Sequence, residues 1–232
     1  MQMFLESHPD QSNAGSFYSQ MQGEAYDEFN VRINFTDPYK IVEAISQPAP
    51  AEGTSEAETS YGYLNIDRSV AVFDIGQGTG ILGRLLRAAG YTNVSGADAS
   101  VEFCRVATES GNYQSVRAFW FSRGVSNLPA EWVGSFDLVM ASGVFLEGHI
   151  PAAGFEDAHA LCKTGGHFIT SMRKQYYVDG HEYGYKEKLD EMVSAGKFAI
   201  LKTWTFMRGV PNAEDPLFVE MPSFMFVCRR LD

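Results

Sequence analysis

A chain of 232 residues, 45% hydrophobic and 13% aromatic, has material for one well-buried domain, and two independent cores would be crowded. Its formal net charge is −11, and up to Ile66 ten acids face only Arg32 and Lys40. That first region repels a phosphate backbone and the nearly balanced remainder attracts one only weakly, so nucleic acid is not the expected partner, and no run of apolar residues is long enough to span a membrane.

Residues 1–15 are polar and acidic, carry no signal-peptide pattern, and are expected to be disordered. From Ser16 to Phe29 the apolar positions Phe17, Tyr18, Met21, Tyr26 and Phe29 recur at helical spacings. Thr36-Asp37-Pro38 then reads as a helix start with proline in the first turn. Residues 47–62, rich in Pro, Gly, Ser, Thr and Glu, read as an acidic loop.

Regular alternation begins at Val70. Strands are predicted at 70–75, 93–98, 116–121, 136–141, 166–172, 199–207 and 218–229. Helices are predicted at 79–89, from an N-cap at Ser100 to about Ser110, at 151–162 and at 183–194. Strands separated by helices make a parallel sheet, and the last two, with no helix between them, should pair antiparallel. The expected architecture is α/β: a doubly wound, mostly parallel seven-stranded sheet with the last strand antiparallel and helices on both faces, all within one domain over 16–232. Cys104, Cys162 and Cys228 are an odd number with no CxxC pair, so neither a disulfide framework nor a zinc site is expected, and a reducing, cytoplasmic setting fits. No spacing of His, Cys and acids suggests a metal.

The first strand ends at Asp74, and glycines follow at 76, 78 and 80 before a helix begins. Glycine there lets a ligand approach the backbone closely. A dinucleotide fingerprint, GxGxxG, would require glycine at 81, where Ile81 stands, which disfavours a nicotinamide oxidoreductase. A carboxylate beside the loop would repel a pyrophosphate but suits a cofactor with a cationic amine and sulfonium. Twenty-four residues on, Asp98 ends the second strand, where a carboxylate can accept both hydroxyls of a ribose; the plainer role is to complement the dipole of the helix that follows.

An acid followed by GxGxG, then an acid closing the second strand, resembles the class I S-adenosylmethionine-dependent methyltransferases. The resemblance implies a Rossmann-like fold, a helical lid over residues 16–46, S-adenosylmethionine as donor and S-adenosylhomocysteine as product. It places Asp74, Gly76, Gln77, Gly78 and Gly80 against the amino-acid part of the cofactor, Asp98 and Ala99 at the ribose, and Tyr18 and Tyr26 in the lid. Phe136 to Ala141 resembles the fourth motif, so Ala141, Ser142 and Gly143 would line the pocket near the methyl group. Leu161-Cys162-Lys163-Thr164-Gly165-Gly166 resembles the family's turn before the fifth strand, with Thr164 in place of proline. The family's usual acid for the adenine amine is missing: Trp120 stands there, and Trp120 or Phe121 either stacks on the base or packs in the core. Gly148-His149-Ile150-Pro151, Ser171-Met172-Arg173 and the run from Gly184 to Leu189 are similar to the methyltransferase-like proteins of the Williams–Beuren chromosome region.

On the acceptor side, His149 follows the fourth strand as a candidate base or substrate contact, or a solvated loop residue. Arg173 ends the fifth strand and can hold an anionic group or form an internal ion pair, and Tyr176 belongs to an aromatic cluster that can wall a substrate. An Asn/Asp-Pro-Pro-aromatic run, expected of an enzyme that methylates amino groups of nucleic acids, is absent where Ala141-Ser142-Gly143-Val144 stands. The expected activity is methyl transfer to a small molecule by a monomer or homodimer; the alternative is a cofactor-binding protein without catalysis that acts through a protein partner.

Overall fold

The computed structural model describes residues 23–46, 64–208 and 221–232. Tyr18, the expected disordered segment 1–15 and the loop 47–62 lie outside these residues. Two helices come first, α1 (Gly23–Arg32) and α2 (Asp37–Ser46). They are followed by β1 (Val72–Ile75), α3 (Ile81–Ala88), β2 (Val94–Asp98), α4 (Val101–Glu109) and β3 (Ser115–Ala118). The rest of the chain forms β4 (Phe136–Ala141), α5 (Gly154–Leu161), β5 (Cys162–Arg173), α6 (Tyr185–Ser194), β6 (Phe198–Arg208) and β7 (Met221–Arg230). The strands build one sheet in the order β3-β2-β1-β4-β5-β7-β6. Pairing is parallel from β3 through β5, and β7 runs antiparallel to both β5 and β6. The doubly wound sheet expected from the alternation of strands and helices is the one observed.

Successive residues of a strand face opposite sides, and the core divides accordingly. Val72, Leu138, Met140 and Ile169 pack on one side with Ile41 and Ile45 of α2 and Leu82 and Leu86 of α3. Phe73, Val139 and Phe168 pack on the other with Phe155 and Leu161 of α5 and Leu189 and Met192 of α6. Each such side chain, fully buried, contributes about 1.5–3 kcal/mol. α2 is therefore part of the layered domain. α1 instead crosses to α4, where the Tyr26 ring meets that of Phe103 with centroids 4.8 Å apart.

Two elements differ from their predicted extents for local reasons. β3 stops at Ala118 rather than Phe121. The Phe119 amide donates to Asp98 O at 2.8 Å, and Ser122 then takes φ 66° and turns the chain away, its amide donating to Asp157 Oδ2 of α5 at 2.5 Å. Strand-forming residue types at 119–121 pack instead as a cluster of rings, Phe119 and Phe121 against Trp132 and Phe73. β5 begins at Cys162, before the Gly165-Gly166 pair expected to be the turn ahead of it. The register with β4 shifts between Phe136 and Leu138, and Gly166 passes so close that a Cβ would lie 3.0 Å from Asp137 O. The glycine pair is thus a bulge inside the strand.

Candidate active site

The carboxyl ends of β1, β2 and β4 meet side by side, with Ile75 in register with Ala97 on one flank and Ala141 on the other. In a doubly wound sheet this is where the connections depart to opposite faces and leave a crevice. The loop after β1 is tied down by the Gly76 amide, which donates to Ala97 O at 2.8 Å. Gly76, Gly78 and Gly80 have φ of 66°, 56° and 100°, a region that side chains rarely adopt. At Gly76 there is also no room: a Cβ would sit 2.6 Å from Val144 Cγ1, because the loops after β1 and β4 touch across the crevice.

The crevice holds a cavity of about 1030 Å³, open mouth included. Asp98 lines it with its carboxylate already oriented: Oδ2 accepts from the Gly78 amide at 3.1 Å and Oδ1 from the Ser100 amide at 2.8 Å. Burial raises the Asp98 pKa, and those amides draw it back. Each oxygen has a further lone pair for a hydroxyl donor. Ser100 also caps α4, accepting from the Phe103 amide at 3.2 Å. Beyond Asp98 the walls turn aromatic, with Phe119, Trp120 and Phe121, and the Arg123 guanidinium lies 5.2 Å from the Trp120 ring centroid.

A smaller compartment adjoins, lined by Asp74, Gln77, Thr79, Phe35 and Ser142, with Tyr26 bordering both spaces. Asp74 is 1% exposed and accepts from the Tyr113 hydroxyl at 2.7 Å; burial pushes its pKa up to about 7. The Tyr113 oxygen in turn accepts from the Gly83 amide at 3.0 Å, in space a Cβ on Gly83 would fill. Gln77 Oε1 and Ser142 Oγ are buried here without a hydrogen-bond partner. Two orphaned polar atoms beside a buried acid, along a backbone free of Cβ atoms, fit the amino-acid end of S-adenosylmethionine. The Thr79 hydroxyl donates to Asp27 Oδ1 at 2.5 Å and stitches α1 over the loop. Burial raises the Tyr26 phenol on the same helix.

At the end of β4 a chain of contacts reaches α2 and β6. The Gly143 amide donates to Ser171 Oγ at 3.0 Å, and the Ser171 hydroxyl donates to Asp37 Oδ2 at 2.5 Å. Asp37 Oδ1 lies 3.0 Å from Arg208 Nε, both side chains being almost wholly buried. The Arg208 guanidinium lies 4.8 Å from the Phe35 ring centroid and against Gly143, where a Cβ would collide with it. On the cavity wall His149 Nδ1 is 2.7 Å from Glu147 O. A carbonyl only accepts, so that contact places a proton on Nδ1.

Of the residues singled out from sequence, Tyr26, Gly76, Gly78, Asp98 and Ala99 line the cavity, as do Trp120, Phe121, Ser142, Gly143 and His149. Asp74 and Gln77 line the smaller compartment. Gly80 turns the loop behind it, and Ala141 is fully buried at the end of β4. Arg173 and Tyr176 stand outside both linings. Tyr176 is 5% exposed and packs on His181 and Tyr183, and Arg173 lies 5.9 Å from its ring centroid. Tyr113, Ser122, Asp157, Asp37 and Arg208 were not singled out as site residues. Asp37 read only as a helix start. The polar Ser122-Arg123-Gly124 break after an aromatic run was the one local signal for the turn at Ser122.

Residues 72–166 match the family model described as a methyltransferase domain. Over those residues, which make up less than half of the chain, the sequence is similar to methyltransferase domains. Methyltransferase-like protein 27 of Homo sapiens is 24% identical over 196 residues, 84% of this chain and 72% of that protein. A methyltransferase solved in complex with the Haloferax volcanii Trm112 methyltransferase activator shares the fold at TM-score 0.63 and 14% identity, over 93% of this chain and 98% of its own. So does magnesium protoporphyrin IX methyltransferase from Synechocystis, solved with bound S-adenosylmethionine, at TM-score 0.58 and 17% identity over 97% and 99%.

Proposed function

We propose that the chain transfers the cofactor's methyl group to a small-molecule acceptor by in-line displacement. The observation that carries this is the roofed crevice. α1, stitched through Asp27 to Thr79, lies over the glycine loop, and His149, Ile150 and Pro151 line the cavity beside it. A crevice partly covered by a helix, on a chain of net charge −11, suits a small acceptor better than a nucleic-acid duplex. The magnesium protoporphyrin IX methyltransferase, whose acceptor is a small molecule by name, matches nearly end to end.

When bound, S-adenosylmethionine supplies a methyl group already activated on a sulfonium. The chain's own residues have to hold, orient and exclude water. Asp98 takes the ribose hydroxyls, the glycine loop with Asp74, Gln77 and Ser142 takes the amino-acid end, and Gly143 with Val144 walls the transfer region. His149 accepts a proton where the acceptor carries one. Among the described residues no helix is long and apolar enough to cross a membrane, and the reading includes a cytoplasmic setting and a monomer or homodimer.

Methyl-labelled cofactor incubated with the purified protein and a low-mass metabolite extract tests the reading. Label is expected in a small-molecule product. Parallel incubations with total RNA and with total protein provide the contrast: label entering only one of these overturns the small-molecule acceptor while leaving methyl transfer intact.

A further inference from the structure

Asp98 is the one carboxylate lining the large cavity among the described residues. Its oxygens are committed to two amides and, on the reading above, to the ribose. The aromatic end beyond it, where the base of the cofactor belongs, therefore has no carboxylate acceptor for an exocyclic amine. What it has is Ser122, and several independent features hold that residue in place. It takes φ 66°, a conformation uncommon for any residue other than glycine. Its amide is fixed by Asp157, a carboxylate 2% exposed and 35 positions away on α5. One helical turn earlier on α5 stands Gly154, and a Cβ there would come within 3.0 Å of Ser122 Oγ. Gly154 and Asp157 together form a socket for this serine. Its hydroxyl nevertheless is buried with no hydrogen-bond partner, an unfavourable state that a ligand would relieve. Ser122 lines the cavity, and its hydroxyl has three staggered positions about the Cα–Cβ bond.

We propose that Ser122, positioned by Asp157, recognises the purine edge of the cofactor, and that the site consequently takes a 6-oxopurine nucleoside thioether nearly as well as the 6-aminopurine one. A carboxylate can only accept, so it demands the amino group of adenine. A hydroxyl donates or accepts as the partner requires, so it bonds the amino group of adenine or the carbonyl of hypoxanthine. The Ser122 amide, a fixed donor that would otherwise favour one base, is already taken by Asp157.

Titration calorimetry with S-adenosylhomocysteine and with its deaminated analogue S-inosylhomocysteine tests this on the full chain. The two are expected to bind within about fivefold of each other, and Ser122→Ala is expected to weaken both by about five- to tenfold. Asp157→Asn, which retains an acceptor oxygen, is expected to keep most of the affinity. Asp157→Ala should lose about as much as Ser122→Ala, with the double variant no weaker than either single one. Thermal melts establish that each variant is folded. A wild-type preference for the adenine compound beyond about thirtyfold would overturn the tolerance. A Ser122→Ala variant that melts earlier but binds both compounds unchanged would reduce Ser122 to a turn residue.

Discussion

Tyr113 Oη donates to Asp74 Oδ2 at 2.7 Å, joining the segment that leads into β3 to the end of β1. Among the described residues it is the side-chain hydrogen bond given to the Asp74 carboxylate, and the ring that makes it fills the space left by the missing Cβ of Gly83. Tyr113→Phe is expected to lower stability by about 1–3 kcal/mol, since it strips a buried acid of its donor. Gly83→Ala should cost a comparable amount by displacing the ring. Denaturant melts measure both. Because the Tyr113 bond lowers the Asp74 pKa, its removal should also shift the transition described next to higher pH.

Burial holds the Asp74 pKa at about 7, against an ordinary 3.8. Across that window the folded chain keeps a proton that the unfolded chain has released. This contribution to stability is complete below the unfolded value and is lost as pH rises through about 7. Asp74→Asn removes the titration, so the stability of the variant relative to the wild type should increase between about pH 5 and 8. A cationic amine beside Asp74 favours its ionised form, so S-adenosylhomocysteine should bind the wild type more tightly as pH rises through 7, with proton release detectable by calorimetry in buffers of different ionisation enthalpy. A constant stability difference and pH-independent binding would contradict both expectations.

Gly76→Ala brings a Cβ to 2.6 Å from Val144 and imposes a side chain at φ 66°. The seam between the loops after β1 and β4 has to open. Cofactor affinity is expected to fall by more than about tenfold, a larger factor than the accompanying stability loss of roughly 1–3 kcal/mol would suggest. Calorimetry and melts on the same sample separate the two.

The Asp37–Arg208 pair is buried on both sides, so removing one member strands the other. Asp37→Ala and Arg208→Met are each expected to destabilise by about 3–5 kcal/mol, and the double variant by clearly less than their sum. Full additivity would mean that the 3.0 Å approach contributes nothing.

The layers of the fold were legible because they rest on periodicity. The apolar alternation of β4 and the helical stripe of α3, through Leu82 and Leu86, are local facts. The glycine loop was legible for the same reason, since its backbone angles demand its residue types. What the sequence did not reveal depends on contacts between distant positions. Asp157 holding Ser122, Asp37 reaching Ser171 at a separation of 134, and Tyr113 reaching Asp74 leave no trace in the spacing of either partner. The early end of β3 is one result: Phe119, Trp120 and Phe121 have strand propensity, but a carboxylate on α5 draws the next amide out of the sheet.

The two amides on Asp98 have a thermodynamic consequence. The Gly78 and Ser100 donors fix the carboxylate's rotamer when the chain folds, so an incoming ligand finds the group already immobilised. The ordering entropy of that side chain is charged to folding and not to association, and the association step is correspondingly easier. Affinity for the donor molecule is thereby coupled to an ordinary helix cap. A change at Ser100 that loosens the start of α4 would be felt as weaker ligand retention, although Ser100 is fully buried and not part of the cavity wall.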